Sequence, residues 1–212
     1  MPGTTGVAMM VAARVTTRTL HRTVGLVMLL PFVGWAVTGT IFFLKPGYGG
    51  AYESLAVKTY SIESSVSVPA NAAWLEARLL KTVLGEHLLV RTAAGWQHLD
   101  ARTLEERRAP ADPEIRALVT DAFTANPARY GRIVSVAGNV ATTDTGVRVT
   151  LGWSRLALSQ RGRDTDTIDR IYKVHYLQWT GIEIVDKILG GAGLILIVLL
   201  SGLGLKLFLR RT

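Results

Sequence analysis

Two apolar runs without a charged residue bracket one long polar stretch. Residues 23–44 hold 22 consecutive positions free of Asp, Glu, Lys and Arg. Residues 188–205 hold another 18, and 207–209 extend that run past Lys206. About 20 such residues cross a bilayer as a helix. The pattern therefore predicts two transmembrane helices, at 21–45 and 187–209. Pro31 falls inside the first and should kink it, and Gly25, Gly34 and Gly39 permit close helix approach. The second is rich in small residues, with Gly190, Gly191, Ala192, Gly193, Ser201, Gly202 and Gly204.

Between the spans the periodicity changes. Residues 71–84 carry apolar positions at Ala73, Leu75, Leu79, Leu80, Val83 and Leu84 and read as a helix ended by Gly85. Two short apolar runs follow, 87–91 and 96–99, joined by residues 92–95 as a hairpin. Asp112-Pro113 then reads as an N-cap with proline at the first helical position, opening a helix to about 125. Strands are predicted at 132–137, 147–151 and 154–159, with turns at 142–146 and 160–164. Helix then strands, repeated at an offset of roughly 42 residues, implies an α+β domain of two helix-plus-antiparallel-hairpin units over 46–168. Residues 169–186 are amphipathic and rich in aromatics (Tyr172, Tyr176, Trp179), as in a helix lying at a membrane interface.

Charge orients this layout. All 16 acidic residues lie between Glu53 and Asp186. The N-terminal flank holds Arg14, Arg18 and Arg22, the C-terminal flank Lys206, Arg210 and Arg211, and neither holds an acid. Basic residues beside a span stay on the cytoplasmic side. Residues 1–20 and the tail 210–212 are thus expected in the cytoplasm, at the inner (cytoplasmic) membrane, with the middle domain periplasmic or extracellular. The apolar run of 22 exceeds the 7–15 of a signal-peptide core, so the first span reads as a retained anchor. Met9 and Met10 are alternative starts. The pI near 10.1 belongs to topology and anionic lipid. No basic stripe alternates with aromatics, and nucleic-acid binding is not expected. The absence of cysteine excludes disulfides, thiolate metal sites and thiol catalysis. No nucleophile elbow and no phosphate-binding glycine loop is present.

Three signatures then coincide: Leu20-His21-Arg22-Thr23-Val24-Gly25 opening the first span with Thr38-Gly39 late in it, the repeated middle domain, and Arg170-Ile171-Tyr172-Lys173-Val174-His175-Tyr176-Leu177 before a glycine-rich span. In order and spacing, from about Leu20 to Leu209, the chain resembles the PepSY-associated transmembrane family, with a PepSY-like domain outside the membrane. Larger members have four or more spans and include ferric and siderophore reductases holding b-type haem through span histidines. The resemblance implies a link to haem or iron, with His21 and His175 as candidate axial ligands. Neutral imidazole nitrogen is a usual donor to haem iron. The alternatives are an interfacial histidine contacting lipid phosphate or helix carbonyls at His21, and a polar residue of an interfacial helix at His175. The two spans run in opposite directions, which separates the two histidines by roughly 30 Å at 1.5 Å per residue. One haem in one subunit cannot take both, so a second copy, another membrane subunit or a different donor must complete the pair.

His87 and His98 in the hairpin are a weak metal signal and read as exposed polar strand residues. The run Glu105-Glu106-Arg107-Arg108 reads as a solvated face or turn, and Asp164-Thr165-Asp166 as a turn and helix cap. Three functional readings follow. The first is a non-catalytic accessory subunit of a haem- or iron-linked membrane redox system, as a homodimer or in a larger complex. The second is a b-haem reductase subunit acting as a dimer. The third is an extracytoplasmic binding or protease-regulating module with anchor helices only.

Overall fold

A computed structural model of the protein describes residues 16–63 and 67–210. The expected N-terminal segment lies outside the described residues as far as residue 15, as do the alternative starts and the last two residues of the tail. The elements run α1 (Thr17–Leu44), α2 (Tyr48–Ala51), β1 (Glu76–Thr82), β2 (Gly85–Thr92), β3 (Gly95–Asp100), α3 (Asp112–Ala122), α4 (Pro127–Tyr130), β4 (Ile133–Ala137), β5 (Val140–Thr143), β6 (Arg148–Gly152), β7 (Ala157–Arg161), α5 (Arg163–His175) and α6 (Glu183–Leu209), with 3-10 turns at Phe123–Ala125 and Trp153–Arg155. They form two units, one of α1 with residues from Arg170 onward, the other of Lys45–Asp169.

The first unit is a helix pair. Only 11% and 6% of the most apolar windows of α1 and α6 are buried within the protein. Core helices of a soluble domain would bury far more, and side chains such as Leu26, Leu30, Phe43 and Val198 point outward. On α1 the covered positions Val24, Met28 and Thr38 lie on one face. Glycine makes the opposing surface of α6: a Cβ at Gly193 would stand 3.7 Å from Trp35, one at Gly204 3.4 Å from His21, and one at Gly25 3.7 Å from Leu200. The pairs 21 with 204, 25 with 200 and 35 with 193 run in opposite senses, so the helices pack antiparallel. Lipid is as apolar as leucine, and close backbone approach at small residues is what holds such helices together. The helix α1 continues through Pro31.

The second unit has the expected α+β class: helices with two antiparallel meanders, β1-β2-β3 and β4-β5-β6-β7. Its main core joins α3 (Ile115, Leu118, Val119, Ala122) to Phe123, Tyr130, Ala141, Val149 and Leu151. The spacing 115, 118, 119, 122 is the apolar stripe of a packed helix. The helix starts at Asp112 and its N-cap is Ala111, one residue before the predicted cap, where Glu114 accepts the Ala111 N–H at 2.8 Å.

Three local expectations are corrected. The stretch 71–84 forms no helix; its residues 76–82 are strand β1, paired Glu76 to Arg91 through Thr82 to Gly85. Leu80 packs into the main core and Leu79 into a second cluster with Leu88, Val90 and Leu99. A strand covered on both faces loses its alternation, and adjacent leucines then mimic a helical stripe. Residues 140–143, read partly as a turn, form β5. The strand expected from 154 begins at 157, after a 3-10 turn that ends with Leu156 at φ 47°.

A charged centre ties the beginning of this unit to its end. Arg129 donates to Asp164 Oδ2 at 2.6 Å and to Gln160 Oε1 at 2.6 Å. The Gln160 amide donates in turn to the carbonyls of Gly50, Ala51 and Glu53 at 3.1–3.2 Å. Asn126 donates to Glu53 at 3.0 Å. Gly50 leaves the room: a Cβ there would lie 2.7 Å from the Arg129 guanidinium.

Gly131 tests the packing beside this centre. It sits at φ 60°, ψ −129°, and a Cβ would meet Asp144 Oδ1 at 2.1 Å. Gly131→Ala should destabilise the unit by about 2 kcal/mol or more, given strain of about 1–3 kcal/mol for such backbone plus the lost Asp144 contact. Gly138→Ala, with φ 57° but open space around it, should cost about 1 kcal/mol. Chemical denaturation monitored through the half-buried Trp96 and Trp153 would compare the two.

Candidate functional site

The helix α5 stops at His175, and the way it stops positions the imidazole. Gln178 N donates to Lys173 O at 2.8 Å and Leu177 N to Val174 O at 3.3 Å, the paired bonds of a Schellman cap. Glycine usually occupies the left-handed position of that cap, yet here it is Leu177, at φ 55°. Its side chain is buried, 6% exposed, and Cδ1 lies 3.1 Å from where a Cβ on Gly193 would be. The leucine fills the notch left by that glycine, which offsets the backbone cost of about 1 kcal/mol.

Two residues of α1 then hold His175. The Trp35 indole N–H donates to its carbonyl at 2.7 Å, and Nδ1 lies 2.8 Å from Thr38 Oγ1. The Thr38 hydroxyl gives its proton to Gly34 O at 2.6 Å, so its oxygen accepts and His175 Nδ1 donates. In the neutral ring that leaves Nε2 with its lone pair. Phe42 lies edge-on to the ring at 5.0 Å. The imidazole borders a cleft of about 410 Å³ lined by Trp35, Tyr176, Leu177, Gly190, Leu194 and Ile197. A polar hollow of about 590 Å³, which shares Tyr176 and Gly190 with it, opens towards Lys173, Gln178 and Lys187.

A histidine with one nitrogen tied down, beside an apolar cleft, suits metal ligation, since an outer partner that fixes the tautomer is the usual companion of a ligating imidazole. A haem iron would be held here by His175, a donor set that the residues present fit on one side. His21 lies at the other end of α1, 17 residues from Thr38, or about 25 Å. Its ring packs against Gly204, and its buried Nδ1 has no hydrogen-bond partner among the described residues. The two candidate ligands are thus kept apart.

The other two histidines differ from expectation. His87 and His98 are buried, at 0% and 3% exposure, rather than exposed on the strands. His87 Nδ1 lies 2.9 Å from His98 Nε2, His87 Nε2 2.7 Å from Thr82 Oγ1, and His98 Nδ1 2.9 Å from Trp153 O. Burial above all holds both rings neutral, with pKa values pushed down to about 3 for His87 and about 4 for His98, and the Arg107 cation adds to the effect. Among the described residues no group of three His, Asp or Glu side chains stands at metal-ligand spacing. Arg107 is not part of a solvated turn; its guanidinium donates to the carbonyls of Glu86 and Leu84. Asp164 serves Arg129, a partner 35 residues away that no local pattern announces.

The sequence model of a family described as "PepSY-associated TM region" matches residues 8–211 of the chain. No curated protein matches it, and no solved structure does.

Thr38 and Thr40 give a controlled comparison. Thr38→Val leaves the His175 N–H unpaired in an apolar setting and should weaken the helix pair by about 1–2 kcal/mol. Thr40, exposed and bonded only to Ala36 O, should accept valine within about 0.5 kcal/mol. Unfolding of the detergent-solubilised protein, followed by helix circular dichroism, measures both.

Proposed function

The chain belongs to the PepSY-associated transmembrane family, and on that footing we propose that it is a membrane-anchored accessory subunit of a haem- or iron-linked redox system, with His175 offering one axial ligand to b-type haem. The observation that carries this reading is the His175 imidazole, whose Nδ1 proton is committed to Thr38 while the ring borders an apolar cleft. Bound haem would supply one-electron transfer. The chain's own contribution is positional: Thr38 keeps the tautomer, Trp35 holds the backbone of the ligand residue, and Leu194 and Ile197 make the wall of the cleft apolar. Lys173 and Lys187 line the hollow beside the cleft together with Glu183 and Asp186, and Lys187 pairs with Glu183 at 2.6 Å. With one imidazole at the cleft, a further ligand would come from a second copy or another membrane subunit. His21, near the opposite end of α1, is a second candidate donor of the same kind, for a separate haem.

The basic flanks support an inner-membrane orientation with both termini cytoplasmic and Lys45–Asp169 outside. In this arrangement His175 lies near the outer face.

Reduced-minus-oxidised visible spectra of the protein, purified with ample haem supply, test the haem reading. Sharp b-type bands are expected, lost in His175→Ala and weakened in Thr38→Val, with haem affinity down about 10–100-fold. A featureless spectrum of the protein and of its complex from native membranes would sink the haem reading and leave the binding-module one. Protease added to spheroplasts should cut within residues 45–169 while epitope tags on both ends stay intact. Protection of that segment would reverse the orientation.

A further inference from the structure

Hydrogen-bond directions at the buried histidine pair are fixed from one end. Trp153 O can only accept, so His98 Nδ1 carries a proton and donates at 2.9 Å. In a neutral ring that makes His98 Nε2 an acceptor, and His87 Nδ1 must donate to it at 2.9 Å. His87 Nε2 is then an acceptor in turn, served by the Thr82 hydroxyl at 2.7 Å, whose oxygen takes the Leu84 N–H at 3.0 Å. Every nitrogen of the pair is satisfied, and none has a lone pair to spare. A proton on His98 Nε2 would face the His87 N–H. A proton on His87 Nε2 would face the Thr82 hydroxyl, which would have to turn away from its partner.

This chain of bonds crosses between the two sheets. Thr82, His87 and His98 belong to the meander β1-β2-β3, and Trp153 follows β6 of the other. The Trp153 ring lies against His98 at 4.0 Å, tilted by 41°, and meets His87 edge-on at 6.0 Å. Leu80 stands opposite His87 and Leu89 opposite His98 in the ladders of the first meander, and both pack into the core that also holds Val149 and Leu151 of the second. Two charged side chains act on it. Arg107, clipped along the edge of β3, opposes a positive charge on either ring. Asp100, opposite His87 in the ladder, favours one, but its carboxylate is already taken by the N–H groups of Arg102 and Thr103.

We propose that the His87–His98 pair is an acid-released joint, which holds the two sheets of the middle unit together while both rings are neutral and lets them part on proton uptake. With the unit outside the membrane, the joint would report external acidity to whatever binds the exposed seam.

The sign follows from the open state. Freed histidines titrate near 6.5, while the closed pair resists protonation down to about 4 and about 3. The open state therefore binds more protons as pH falls below 6.5, and the closed form loses up to tenfold per pH unit for each ring. Carboxylates such as Asp164, held below their ordinary value of 3.8 by Arg129, enter only at lower pH. The window from about 6.5 to about 4.5 thus belongs to histidines.

The test uses the full chain in detergent, with 15N-labelled histidine. At pH 7 both rings should show the Nδ1–H neutral tautomer. On acidification neither should titrate within the closed unit. Amide protection in β2 and β3 should instead fall together, by up to a hundredfold per pH unit. In His87→Leu/His98→Leu that steep dependence should disappear. Because the tautomers and the exchange are read on the unaltered protein, a double variant that fails to fold leaves the test standing. Either ring titrating near 6.5 with the strands still protected would overturn the proposal, and so would the opposite tautomer.

Discussion

Gly193 allows Leu177 and the Trp35 indole to approach the α6 backbone, and much of the membrane unit depends on that approach. Without a Cβ at this position there is a notch, and Leu177 enters it by adopting a backbone conformation that a leucine seldom takes. That conformation ends α5 and turns the chain towards α6. It also presents the last residue of α5, His175, to Trp35 and Thr38 of α1. The missing methyl group thus makes room for the cap that ends α5, and Thr38 then sets which nitrogen of the imidazole is left free. In lipid no hydrophobic gain drives helices together, so this kind of shape fit must supply the contact.

The middle unit contains two buried polar centres built on opposite principles. Around Arg129 the charge is kept and answered, by Asp164 at 2.6 Å and Glu53 at 3.8 Å. Removing one partner there would leave an uncompensated ion, the change that most damages a buried pair. Around His87 and His98 the charge is refused. The groups are satisfied only as neutral donors and acceptors, and Arg107 makes a further cation unwelcome. The first centre depends little on pH across the neutral range, because arginine stays protonated and Asp164 stays ionised. The second depends on pH by construction. Both are made of residues far apart in sequence: Arg129 with Glu53 and Asp164, His98 with Trp153.

That separation accounts for what the sequence did and did not disclose. Both spans, the hairpin at 87–99 and the helix from 112 were legible, because each is marked by a local signal: an uncharged run, an alternation bounded by a turn, or a proline at a helix start. The family resemblance, carried by motif order around His21 and His175, was legible too, and it holds over residues 8–211. Leu79 and Leu80 misled because β1 is covered on both faces, so the period of two that identifies a strand is absent. His87 and His98 looked like exposed strand positions for a related reason. Alternation shows which residues share a face but not what lies over that face, and here it is Trp153. The Arg129 centre gave no warning except the glycines at 50 and 162, which make sense only once the guanidinium and Asp164 are seen against them.

The count of imidazoles constrains any redox role more tightly than the fold does. Of the four histidines in the chain, His87 and His98 are bonded to each other inside the middle unit and have no lone pair to offer. His21 and His175 stand near opposite ends of α1. Each subunit therefore presents at most one imidazole to any one haem, and a six-coordinate iron with two histidine ligands requires two chains. The ligation state of any bound haem thus reports directly on whether the helix pair of this chain acts alone or as half of a larger bundle.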